Sequence, residues 1–128
     1  MTDRARLVRA SELQVPASGP TPGMRRREAF ADETVWVGTV HTDPGILTGW
    51  HHHGTYDTYV YIVEGSGRLE YGPGGSVVLE GGAGDFMYIP AGAIHREGSA
   101  AGSKGVDAVL VRVGSGEIVV NVDGPEAR

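Results

Sequence analysis

Glycine punctuation constrains this chain more than any other feature. Twenty-one of its 128 residues are glycine. They fall at short intervals between runs rich in β-branched and aromatic residues: Val35-Trp36-Val37, Tyr59-Val60-Tyr61-Ile62-Val63, Val106 to Val113 and Ile118 to Val122. Runs of that kind suit the pleated, half-buried surface of a strand. The intervening segments, among them Asp43-Pro44-Gly45, Gly65-Ser66-Gly67, Gly72-Pro73-Gly74-Gly75, Gly81-Gly82-Ala83-Gly84 and Gly114-Ser115-Gly116, carry turn chemistry. Glycine supplies positive φ there, and proline presets φ. Helical apolar periodicity is confined to a weak pattern near Arg4 to Leu13. Short strands joined by tight turns predict an all-β, antiparallel sandwich or barrel.

The length suits a single domain with one core. Residues 1–24 read as an N-terminal arm or edge strand, with a proline-rich connection over residues 15–23, and residues 25–128 as the β domain. Eleven Lys+Arg against sixteen Asp+Glu give a net charge of -5, which argues against a nucleic-acid partner, because phosphate needs a basic face. Six of the eleven cations, Arg4, Arg6, Arg9, Arg25, Arg26 and Arg27, precede residue 30. They fit either a solvated arm or a patch that docks an anionic partner or another subunit. The chain has no cysteine, so disulfides, thiolate ligands and cysteine nucleophiles are excluded. Its start lacks the apolar region of a signal peptide, and no apolar run approaches the ~18 residues of a membrane span. The expectation is a soluble, cytoplasmic protein with no membrane partner.

Three of the five histidines are consecutive, in Gly49-Trp50-His51-His52-His53-Gly54. Side chains alternate along a strand, so His51 and His53 share one face and His52 takes the other. Cα atoms two residues apart lie roughly 7 Å from one another, and two such imidazoles can converge on one ion. A lone His-x-His arises easily by chance. A second segment, Gly84 to His95, changes its weight: a strand, a Pro90-Ala91-Gly92 turn, and a histidine that opens another strand.

Together these segments resemble the two motifs of the cupin superfamily, G-x5-H-x-H-x3-4-E-x6-G and G-x5-P-x-G-x2-H-x3-N. Gly45, His51, His53 and Gly65 fall in the register of the first, and Gly84, Pro90, Gly92 and His95 in that of the second. The resemblance implies a small antiparallel jelly-roll β-barrel with a divalent metal in its mouth, held by His51, His53 and His95. Two positions depart from the pattern. Thr58 stands where the family places glutamate, and Ser99 replaces the closing asparagine. Asp57 lies one position early and is a candidate fourth ligand. Alternation turns it away from the face shared by Thr58, Val60 and Ile62, so it reaches the metal only if the chain bulges after Gly54.

A neutral three-histidine set leaves the ion its full charge and makes it a strong Lewis acid. Cupins with such a triad include thiol and diketone dioxygenases. The resemblance therefore implies an Fe(II)-dependent, dioxygenase-type oxidoreductase acting on a small organic metabolite, with Zn, Ni, Cu or Mn as other metals. The alternatives are a metal-assisted isomerase or lyase, and a non-catalytic cupin that binds a small ligand. Tyr59 and Tyr61, on the strand after the histidine pair, are candidate catalytic residues, although aromatics in a small barrel also serve as core or dimer interface. Arg112 is a third candidate. A charge amid Val111 and Val113 needs a partner, either an anionic substrate or an acidic side chain. Small cupins often dimerise and strand edges need cover, so a homodimer is expected, with residues 1–30 contributing.

Overall fold

The computed structural model describes residues 4–17 and 21–126. Among these residues nine strands follow one another: β1 (Met24–Ala31), β2 (Val35–Thr42), β3 (His51–His52), β4 (Asp57–Tyr71), β5 (Val77–Gly82), β6 (Phe86–Ile89), β7 (His95–Ser99), β8 (Val106–Val113) and β9 (Val120–Asn121). They form an open, strongly curled sheet in the order β1-β2-β8-β4-β7-β3-β9, with β5 and β6 also paired to β4. Every strand pair is antiparallel, as tight Gly/Pro turns require. The only helical elements among the described residues are two 3₁₀ turns, Ala10–Glu12 and Pro73–Gly75.

β4 is the hinge of the fold. Its first half pairs with β8 and β6, and its second half with β7 and β5. The change of partner coincides with a register shift between Ile62 and Glu64. Gly65 follows at φ 85°, and a Cβ there would overlap the Gly105 carbonyl oxygen. Only glycine meets both demands, so the chain can bend and face its second half toward β7.

Inner and outer faces follow the period of two. Burial alternates along β2 and β8, and Met24, Trp36, Val40, Ala108 and Leu110 form a core against which Ile46, Val60 and Ile118 pack. Each large apolar side chain of this kind contributes about 1.5–3 kcal/mol on full burial. One inner row crosses four strands as Trp36, Arg112, Thr58 and Ile89, which are register partners in turn. A charged residue therefore sits in the middle of a largely apolar row. Ahead of β1, the backbones of Gln14 and Glu28 exchange two hydrogen bonds, 3.1 and 2.6 Å long, so the arm runs beside the sheet.

Candidate metal centre

His51 and His95 are register partners across the β3–β7 pair. His53 follows β3 directly, on the same face as His51 by alternation. All three are buried, with exposures of 5%, 3% and 0% for His51, His53 and His95. Their rings stand 4.4–5.0 Å apart between centroids. Each Nδ1 meets a backbone carbonyl: Gly49 O at 2.9 Å, Ile118 O at 2.5 Å and Ala93 O at 2.8 Å. A neutral imidazole that donates from Nδ1 to such a carbonyl has its lone pair on Nε2, where a metal can take it. Ligating histidines are oriented from behind in this manner.

A fourth donor joins them. Glu97 lies two residues beyond His95 on β7 and so shares its face. Its Oε2 is 2.7 Å from His95 Nε2 and its Oε1 is 3.5 Å from His51 Nε2. His95 Nε2, His53 Nε2 and Glu97 Oε2 are nevertheless buried without a hydrogen-bond partner. Donors at neighbouring positions around an ion with bonds of ~2.1 Å lie about 3 Å apart. The four groups thus point at one common centre rather than at each other, and the donor atoms all lie within 4.8 Å of one another. This buried cluster of three histidines and one glutamate can coordinate a divalent metal ion.

The electrostatics of His53 and Glu97 agree with that role. Burial pushes the His53 imidazole down to about 3, with the Arg112 charge adding to the effect, so His53 stays neutral as a ligand must. Burial also works against a charge on His51, but the neighbouring Glu97 carboxylate outweighs it and raises the pKa. For Glu97 itself burial disfavours ionisation, yet contacts with His51 and His95 hold it well below the ordinary carboxylate range.

A cupin-domain family model matches residues 38–112. The chain belongs to the cupin family. No curated protein matches it. Among solved structures, the polyketide cyclase RemF from Streptomyces resistomycificus superposes with a TM-score of 0.73 at 21% identity, covering 93% of this chain and 86% of that one. KdgF from Halomonas sp. gives 0.67 at 19% identity, covering 87% and 96%. Oxalate decarboxylase from Bacillus subtilis gives 0.70 at 19% identity, where the match takes 94% of this cupin and 34% of the larger protein. At these identities the likeness is one of fold.

The cupin carries its carboxylate on the second histidine strand. Thr58, at the position where the family motif has glutamate, points inward with 1% exposure and an unpartnered Oγ1. Asp57 is not among the four clustered groups. Its Oδ1 accepts hydrogen bonds from Tyr88 Oη and Ala91 N, both 2.9 Å, at the turn after β6. The bulge that would re-aim it is placed further along, between Ile62 and Glu64. Sequence reasoning missed Glu97 because the family motif puts its acid in the first segment. The signal was present: the same i, i+2 rule that pairs His51 with His53 pairs His95 with Glu97.

The three residues singled out for catalysis separate in space. Tyr59 and Tyr61 are 48% and 38% exposed and face away from the histidines, stacking on Tyr88 and Phe86 respectively. Arg112 is 3% exposed and faces inward. It borders two cavities: an inner one of about 60 Å³ that it shares with His53 and Glu97, and an outer one of about 320 Å³ that it shares with His51. Arg26 lines both as well. His52 turns aside, its Nδ1 accepting the Gly54 amide at 3.0 Å.

Proposed function

We propose that this cupin is a metal-dependent enzyme acting on a small organic metabolite, its ion held by His51, His53, His95 and Glu97. The observation that carries the reading is the convergence of four donors on one buried point, three of them braced by backbone carbonyls. A divalent ion bound there supplies Lewis-acid polarisation of a substrate oxygen, and iron adds redox chemistry toward dioxygen. Four protein donors leave room at a six-coordinate ion for a bidentate substrate, or for substrate and dioxygen together. An Fe(II)-dependent dioxygenase is the leading version, and the curled sheet is read with it as the family's jelly-roll barrel.

Glu97 favours a second version. The neutral centre expected from three histidines becomes one that carries a carboxylate, which lowers the charge left on the ion. The same carboxylate gives the site an internal proton acceptor. That suits a metal-assisted isomerase or lyase with Mn, Ni or Zn as well as with iron. Oxygen uptake separates the two. Iron-loaded protein should consume oxygen with one of a panel of thiols, diketones and catechols, and His95→Ala should abolish it. Metal binding without uptake across the panel selects the second version, and failure to take up any of Fe, Mn, Ni, Zn or Cu removes both.

We also propose that the protein is a homodimer, joined through the outer face of the sheet rather than the arm alone. Tyr59 on Tyr88 and Tyr61 on Phe86 make two adjacent stacks, with Phe86 76% and Val63 53% exposed. Four half-exposed rings present roughly 400 Å² of mostly apolar surface. That is about half of the ~800 Å² per partner in a standard interface, and Val111 and Val113 on neighbouring β8 extend it. A second copy offers the same flat face to a two-fold contact. In sedimentation, the full chain should run as a dimer and Phe86→Asp as a monomer; a Phe86→Asp dimer would refute this face.

A further inference from the structure

Arg112 is a buried guanidinium without an acid. Elsewhere in the sheet Arg25 pairs with Asp43, Arg68 with Glu70 and Glu80, and Arg96 with Glu70. Arg112 makes no ion pair among the described residues, and its Nε has no hydrogen-bond partner. The Trp36 ring lies 5.4 Å from its guanidinium carbon. Arg26 is similar: Nη1 reaches Thr21 Oγ1 at 2.9 Å and Nη2 reaches Met24 Sδ at 3.8 Å. A guanidinium has five N–H donors, so both arginines keep donors to spare.

The two charges act on each other. Burial lowers the Arg112 pKa, the Glu97 carboxylate opposes it and the Arg26 charge adds to the lowering, with a net value of about 10. Two like charges lining the same pair of cavities are costly unless an anion completes them. Counting Arg26, Arg112 and Glu97, the site carries two positive charges and one negative, a surplus of one before any metal adds two. The inner cavity between them is walled largely by apolar side chains such as Val40, Val60, Ile62 and Leu110.

We propose that Arg26 and Arg112 form a carboxylate-binding subsite beside the metal centre, and that the ligand is a small organic acid with an apolar body. The fork of a guanidinium matches a carboxylate, one carboxylate cancels the surplus charge, and the apolar wall receives the carbon chain. The subsite rests on the arginines alone; its role in presenting a substrate to the ion rests on the metal-enzyme reading above.

Titration calorimetry on the whole, chelator-treated protein tests it, with butyrate as the probe and butyramide and inorganic phosphate as controls. Butyrate should bind, butyramide should bind at least about tenfold more weakly, and Arg112→Gln should lose about tenfold or more toward butyrate. Arg26→Gln, at the more accessible guanidinium, should lose several-fold and serves if Arg112→Gln does not fold. Equal binding of butyrate and butyramide, or butyrate binding unchanged in a folded arginine variant, would overturn the subsite. Phosphate binding more tightly than butyrate would overturn the carboxylate assignment. Metal uptake is measured separately, so butyrate binding without metal uptake sinks the enzyme reading and leaves the subsite standing, and the reverse result does the opposite.

Discussion

Glu97 Oε2 and His95 Nε2 lie 2.7 Å apart, yet neither is hydrogen-bonded to the other. Their approach is governed by the strand: residues two apart on β7 share a face, and that face is turned toward His51 and His53. Two donors at that separation occupy adjacent corners of one site, able to meet an ion to the side of both, and the backbone contacts behind the three imidazoles hold the rings ready.

Glu97→Gln should therefore weaken metal binding by more than the roughly 10–100-fold that loss of an outer, orienting partner causes. Asp57→Ala should leave metal content unchanged, since its carboxylate serves Tyr88 and Ala91. His52→Ala should do the same. Metal stoichiometry by mass spectrometry on the three variants checks this. Loss of metal in Asp57→Ala with retention in Glu97→Gln would restore the ligand set expected from sequence.

How much of the fold and the centre is legible in the sequence varies with the physical rule involved. Alternation along strands is local, so the opposite senses of Asp57 and Thr58 follow from the residue pattern alone. Most turn glycines likewise mark strand boundaries, but Gly65-Ser66-Gly67, which reads as a turn between two strands, lies inside β4, where the chain bends and changes partner without breaking the strand. The acid of the centre is harder, because a motif directs attention to a fixed position, and Thr58 occupies it. Only the pairing of β7 with β3 and β4 brings Glu97 beside the three histidines. Tyr59 and Tyr61 are a different case. They share the parity of Asp57, so the alternation that turns Asp57 away from the centre turns both rings outward as well; their candidacy rests on nearness in sequence to the histidine pair, which alternation overrules.

Metal should also register in stability. An ion that binds the folded chain alone stabilises it by about 2.7 kcal/mol at a free concentration 100-fold above its Kd, or roughly 10 °C in melting temperature for a domain of this size. Chelation should reverse the gain. His95→Ala should show little dependence on added metal. Calorimetric scans with and without chelator decide the point, and an identical melting temperature in both would mean that no ion is bound.

Arg112 predicts the opposite sign from most core substitutions. A buried guanidinium without an acid costs stability, so Arg112→Met, similar in length and apolar, should stabilise the ligand-free protein by about 1–2 kcal/mol. Denaturant unfolding measures it. A loss of more than about 1 kcal/mol would mark Arg112 as a structural residue.

Acid should unfasten a second site. Arg68 foremost, and then Arg96, hold the Glu70 carboxyl below its ordinary value, through contacts of 2.7 Å each. A carboxyl with a lowered folded pKa contributes stability above its unfolded pKa and loses it as pH falls through the folded one. Glu70→Gln should thus cost about 1 kcal/mol at neutral pH, allowing for the partial exposure of both arginines. The gap from wild type should close as pH drops below about 4. A gap constant from neutral to acid pH would show that packing, not charge, is responsible.

Gly98 links the packing of the sheet to the metal centre. A Cβ at this position would overlap the Ile46 carbonyl oxygen, the atom that accepts the Ser99 amide at 3.0 Å. Gly98→Ala must push the segment around Ile46 away from β7, at a cost of about 1–3 kcal/mol. The same displacement loosens Thr48, whose amide donates to Glu97 O at 2.8 Å and whose Oγ1 accepts the Glu97 amide at 3.0 Å. Metal affinity should fall several-fold with stability, because the Glu97 backbone is no longer held on both sides. Gly82→Ala is the control: it lies on β5 with ordinary φ, and a Cβ there would meet nothing nearer than the Gly65 carbonyl oxygen at 3.8 Å. Unfolding and metal titration of both variants are the measurements. Equal metal affinity in Gly98→Ala and wild type would detach the Thr48 clasp from the function of Glu97.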